Sequence, residues 1–101
     1  MGWARFYIEN LQKGITVQFK PHGNSMRPLV CDGDQVTVSP DLKDLQVGDV
    51  VLCKVRGREY LHLLKAMDGE RYQIANNRGH VNGWIGRTHI YGRVTAIDRK
   101  G

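Results

Sequence analysis

Glycine turns cut the middle of this chain into runs too short for long helices. Asp32-Gly33, Gly48-Asp49, Arg56-Gly57 and Asp68-Gly69 recur along it. Each brings a residue with no Cβ to a tight bend. The runs between them carry strand patterns. Residues 15–20 alternate, with Ile15, Val17 and Phe19 on one side and Thr16, Gln18 and Lys20 on the other. Residues 35–39 point Val36 and Val38 inward before Pro40 ends the run. Residues 50–55 are almost continuously apolar, as a central strand covered on both faces would be. Arg56-Gly57-Arg58 turns that strand into 59–66, and Asp68-Gly69 starts a second hairpin into 71–74. A last strand is expected over 89–97, with Gly92 at a bulge. Many short strands with glycine turns imply an all-β (mainly β) fold, a small partly closed barrel or a coiled β-ribbon.

The flanks read differently. Trp3, Tyr7, Ile8 and Leu11 follow helical spacing, and Lys13-Gly14 supplies a last-turn cation and a stop. Residues 1–14 are therefore a short amphipathic N-terminal helix, or an extended arm, packed on the sheet. Charges break the segment every few residues, so it is neither a signal peptide nor a membrane span. Residues 41–46 form a polar loop with room for one helical turn. Residues 76–86 are read as a long functional or mobile loop with Trp84 as its anchor. With 101 residues, 41% of them hydrophobic, the chain supplies one domain over 1–101, its β core spanning 15–97. Two cysteines, Cys31 and Cys53, are too few for a disulfide scaffold, and a reduced, cytoplasmic setting is the expectation.

One stretch carries chemistry rather than scaffold: His22-Gly23-Asn24-Ser25-Met26-Arg27-Pro28-Leu29-Val30. The backbone is permissive before Ser25 and restrained after it, which suits a hydroxyl held out at a sharp bend. A serine nucleophile also needs a base. His62 and Lys65 lie on one predicted strand but on opposite faces, so a regular strand turns only one of them toward Ser25.

The order Gly23-x-Ser25-Met26-x-Pro28, Gly33-Asp34, Gly48-Asp49-x-Val51, a strand bearing His62, and the loop at Asn76-Asn77 resembles a known family. It is similar to the signal peptidases and LexA-type self-cleaving repressors, serine peptidases of the S24/S26 type, over about residues 20–97. Ser25-Met26-x-Pro28 is the most specific part. The resemblance implies a LexA C-terminal or signal peptidase fold and a serine peptidase activity without cofactor. It also implies a basic residue on the strand that carries His62. Bacterial signal peptidases and LexA-like proteins use lysine there, and eukaryotic and archaeal signal peptidases use histidine. His62-Leu63-Leu64 matches the histidine version, with leucine replacing the usual arginine. A neutral imidazole also takes a serine proton near pH 7 without the heavy desolvation a lysine needs.

The histidine members place an aspartate in the loop where this chain has Ala75-Asn76-Asn77, so the resemblance implies Asn76, or its neighbour Asn77, as the group orienting His62. An amide orients a ring but gives no charge to an imidazolium. Gly23, Asn24 and Met26 flank Ser25 as the expected oxyanion and substrate-binding positions, Gly23 standing where some relatives carry a hydroxyl donor.

Other classes find less support. His22, His62, His80 and His89 lack metal-ligand spacing, so no metal is expected. Fifteen Lys and Arg against ten Asp and Glu give a net charge of +5, scattered except at Lys54, Arg56 and Arg58. That cluster marks a solvated hairpin tip or a surface for non-specific nucleic-acid contact. Two readings follow. One is a small soluble serine endopeptidase acting on a peptide or protein through Ser25 and His62. The other is a non-catalytic peptide- or nucleic-acid-binding module on the same fold. The sequence has no membrane anchor, no separate DNA-binding domain and no Ala-Gly bond, which argues against both signal-peptide removal at a bilayer and self-cleavage.

Overall fold

The computed structural model describes residues 2–100. A helix, α1 (Arg5–Gln12), is followed by seven strands: β1 (Val17–Phe19), β2 (Gln35–Ser39), β3 (Val50–Val55), β4 (Arg58–Asp68), β5 (Arg71–Ala75), β6 (Val81–Gly86) and β7 (Ile90–Asp98). A single turn of 3-10 helix, Arg87–His89, precedes β7. The strands form one antiparallel sheet in the order β1-β2-β7-β3-β4-β5-β6, which does not close, so β1 and β6 are its edges. The fold is therefore mainly β with a short N-terminal helix, as the turn spacing implies.

Local chemistry accounts for the boundaries. Helix α1 ends in a Schellman motif, where the Gly14 amide donates to the Leu11 carbonyl and the Ile15 amide to that of Asn10. Gly14 takes the left-handed φ of 83° that this cap requires. The cap holds Ile15 out of the sheet, so the first strand begins at Val17 rather than at Ile15, which is exposed. The β3–β4 hairpin turns on Arg56 and Gly57, at φ 53° and 79°, the two positive angles of a type I′ turn.

Strand β3 is buried on both faces against two different clusters. Val50 and Leu52 join Ile8, Leu11, Phe19, Met26, Val36 and Val38, whereas Val51, Cys53 and Val55 join Leu64, Tyr72, Ile74 and Ile85. This two-sided burial explains its unbroken apolar run. Both cysteines are free, and burial pushes the Cys53 thiol up to about 12. Gly92 pairs with Leu52 beside a bulge on β7. A Cβ there would meet Val38 Cγ1 at 2.6 Å and the Ser39 carbonyl at 2.9 Å, so the close approach of β2 leaves room for glycine alone. Among the described residues, no helix is long and apolar enough to cross a membrane.

The expected loop over 76–86 is shorter than its composition implies. Its second half is strand β6, and Trp84 is not its anchor: Trp84 is 42% exposed, while its neighbour Ile85 is buried at 7%. Alternation along the strand turns one of two adjacent large side chains inward, and here it is Ile85.

Candidate active site

Ser25 projects because its neighbours are anchored. Met26 and Val30 are buried in the β1–β2 cluster, each contributing roughly 1.5–3 kcal/mol by leaving water. Ser25, immediately before Met26, is left half-buried at the surface. Gly23 enters the bend at φ 107°, and the Arg27–Pro28 peptide is cis. Three side chains from elsewhere tie the segment down. Asp34, 2% exposed, accepts the Cys31 amide at 2.9 Å, the Lys100 amide at 3.0 Å and Arg99 Nη1 at 2.8 Å. Arg99 Nη1 also donates to the Pro28 carbonyl at 3.3 Å. Asn77 reaches across from the end of β5, its amide donating to the Ser25 carbonyl at 2.9 Å and its Nδ2 to that of Arg27 at 2.8 Å. The backbone amides of Lys100 and Cys31, with Arg99, hold the Asp34 carboxyl below its usual 3.8.

His62 comes from β4, opposite Val51 of β3. The pairing of β4 with β5 begins only at Leu63, so residues 58–62 present an edge that β5 leaves unpaired. His62 is 8% exposed, and the Tyr60 ring lies against its imidazole at 4.8 Å. Its Nε2 is 3.1 Å from Ser25 Oγ. Its Nδ1 is 2.7 Å from Asn82 Oδ1. An amide oxygen only accepts, so Nδ1 carries the proton and Nε2 turns its lone pair to the serine hydroxyl. Burial holds the imidazole below its usual 6.5, the Asn82 hydrogen bond opposes that in part, and His80 nearby pushes the same way as burial. At neutral pH the ring is therefore neutral and able to accept a proton.

Asn82 is the residue that sequence reasoning missed. The β5–β6 register pairs Ile74 with Gly83 and Ala75 with Val81, leaving Asn82 as the extra residue of a bulge. Bulges re-aim a side chain out of the ladder, and this one sends Asn82 to His62. The only trace in the sequence is Asn82-Gly83, a polar residue and a glycine inside an otherwise strand-like run.

The other expected positions are distributed around this pair. Asn76 lines the same cleft but does not orient His62: its Oδ1 accepts the amides of Arg78 and His80 at 2.9 Å each, folding its own loop. A short side chain bonded twice to the turn that follows it is not free to reach a neighbouring strand. Asn77, the other expected orienting group, bonds to the Ser25 segment instead. Gly23 lines the cleft, but its amide donates to Asp32 Oδ1 at 3.2 Å. Asn24 is exposed, and its carbonyl accepts the Arg27 amide. Met26 forms part of the cleft wall. Lys65, the extra residue where β4 shifts register, is exposed and lies outside the cleft. Lys54 and Arg58 flank the β3–β4 turn, and Arg56 lies within it. Among the described residues, no group of three or more His, Cys, Asp or Glu side chains has the geometry to hold a metal ion.

Ser25, His62 and Asn82 open into one cleft of about 770 Å³ that runs on to Trp3, Tyr7 and Phe19. Against family models, the one described as Peptidase S24-like matches residues 9–95, from within α1 to within β7. No curated protein matches the chain. The family match takes in nearly every element that shapes the cleft, and by it this protein belongs to the Peptidase S24-like family.

Proposed function

We propose that this protein is a serine endopeptidase in which Ser25 is the nucleophile, His62 the general base and Asn82 the group that orients it. The observation that carries the reading is the relay from Ser25 Oγ to His62 Nε2 and from His62 Nδ1 to Asn82 Oδ1, at 3.1 and 2.7 Å. As Ser25 Oγ attacks the peptide carbonyl carbon, its proton passes to Nε2, and the carbonyl oxygen becomes an oxyanion. The Ser25 amide, which has no acceptor among the described residues, is the candidate donor to that oxygen. When the C–N bond breaks, the imidazolium returns its proton to the leaving amine. Water then repeats the sequence on the acyl-enzyme, with His62 again taking a proton and giving it back to Ser25.

The substrate is a peptide in extended form, laid along residues 60–62 of the β4 edge, which β5 leaves unpaired beyond the Glu59 carbonyl that Trp3 occupies. His62 on that edge sits beside Ser25, so a strand paired there would carry its carbonyls past the hydroxyl. One feature supports a second reading, a cleft that binds a peptide or nucleic acid without cutting it. Asn82 is neutral, so the imidazolium formed in the transition state has no carboxylate behind it. The basic hairpin residues Lys54, Arg56 and Arg58 would serve that reading as a salt-sensitive contact.

A serine-directed fluorophosphonate separates the two. Hydrolysis predicts a covalent adduct on the peptide containing Ser25, found by mass spectrometry, and cleavage of a peptide library that Ser25→Ala abolishes. No adduct and no turnover, with binding weakened by Lys54→Glu, Arg56→Glu and Arg58→Glu together, would establish the binding module instead.

A further inference from the structure

The cleft lining is of two chemical kinds. One part is polar, with Ser25, His22, His62, His80 and Asn82, and another is a corner of three rings. Phe19, buried at the end of β1, stacks on Tyr7 at 4.3 Å and 22°. Trp3 meets Phe19 edge-on at 5.7 Å and 61°. Trp3 is still 52% exposed, so much of its indole surface is left for something else to cover.

The corner is fixed before anything binds. The Ala4 amide donates to Glu59 Oε1 at 2.8 Å, and Trp3 Nε1 donates to the Glu59 carbonyl at 3.4 Å. Ala4, Ile8 and Leu11 are buried beneath, docking α1 on the sheet. The rings are thus ordered on folding rather than on binding, which favours affinity. Charge at this corner does not single out a cationic guest: Glu59 lines the cleft, but its carboxylate is engaged by the Ala4 amide. The Glu59 carboxylate faces the chain at Gly2 and Ala4, where an added Cβ on Gly2 would fall on it, and exposed Lys20 lies on the wall.

We propose that Trp3, Tyr7 and Phe19 form a subsite for an aromatic side chain of the peptide that lies across Ser25. The proposal rests on the peptidase reading for its location, but its test does not depend on turnover. The Ser25→Ala protein is titrated with fluorescein-labelled, end-blocked octapeptides carrying Phe, Ala or Lys at one scanned position, and binding is read by anisotropy. At one position Phe binds about tenfold more tightly than Ala. Adding Trp3→Ala removes that preference, and adding Trp3→Phe, which restores a ring, keeps most of it.

The subsite is refuted if no position favours Phe over Ala, if Lys is preferred, or if the preference for Phe survives Trp3→Ala. Wild-type protein on the same peptides separates the two readings. Ser25-dependent cleavage without a ring preference overturns the subsite and leaves the peptidase. A ring preference that needs Trp3, without Ser25-dependent cleavage, keeps the subsite and overturns the peptidase.

Discussion

Asn82 and Ser25 lie on opposite nitrogens of one imidazole: Asn82 Oδ1 at 2.7 Å from Nδ1 of His62, and Ser25 Oγ at 3.1 Å from Nε2. The amide fixes the tautomer a general base needs, and it does so without charge.

Asn82→Asp therefore separates orientation from charge. A carboxylate at the same place accepts the same Nδ1 proton and also stabilises imidazolium, so peptide hydrolysis should rise. The His62 pKa should rise with it, moving the acidic limb of the rate profile to higher pH. Asn82→Leu removes the acceptor and should lower kcat/KM by on the order of 10²–10⁴, the range a general base supplies. Steady-state rates across pH check both variants.

The pH dependence of the wild type has a definite sign. His62 is held below 6.5 in the folded protein, so its active neutral form persists to lower pH than a free imidazole would allow, and kcat/KM should climb to its plateau with a midpoint under 6.5. The same shift acts on stability. In the window below 6.5 the unfolded chain binds a proton that the folded one refuses. The contribution of His62 is thus complete above 6.5 and lost as pH falls through the folded value. Urea melts at stepped pH should show that slope in the wild type and lose it in His62→Gln.

Ser25→Ala and His62→Ala should each abolish nearly all hydrolysis, and the double variant should be little worse than either. Nucleophile and base act as one unit, so their losses do not add. Circular dichroism should remain that of the folded protein for Ser25→Ala, since the half-buried hydroxyl contributes little to the core. A rate that ignores both substitutions would sink the mechanism.

Asn77→Ala tests the clamp on the serine bend. Its Nδ2 bond to the Arg27 carbonyl is lost while the backbone bond to Ser25 can remain, so stability should fall by only about 1 kcal/mol. Turnover should suffer more than that figure implies, because a small misplacement of Oγ from Nε2 acts on the chemical step. The expected signature is a lower kcat with KM nearly unchanged.

Asp34→Ala tests the anchor behind the same segment. The carboxyl of Asp34 is held below 3.8 by the amides and guanidinium it accepts from, so its stabilisation is present above 3.8 and lost as pH falls through the folded value. The variant should melt at a lower temperature at neutral pH, and the difference from wild type should shrink on acidification. A constant difference down to pH 2 would mean that the charge of Asp34 does not hold the bend.

Much of this arrangement is legible in the sequence, because local chemistry decides it. The glycine turns and Pro40 set the strand ends, the Lys13-Gly14 cap stops α1, and the two-sided apolar run of 50–55 marks the central strand. The choice of His62 over Lys65 is legible from the strand pattern, although a bulge at Lys65 interrupts the alternation there. The bend at Ser25 is written in the glycine before it and the proline after it. What the sequence could not settle depends on register between distant strands. Whether Asn76, Asn77 or Asn82 reaches His62 turns on one extra residue in the β5–β6 ladder, and a bulge leaves almost no mark in composition. The contact of Asn77 with Ser25 and Arg27 spans about half the chain, and that of Arg99 with Pro28 and Asp34 joins its end to its first third. Periodicity reports which way a side chain points from its own backbone. Which partner stands there is decided only when the strands pair.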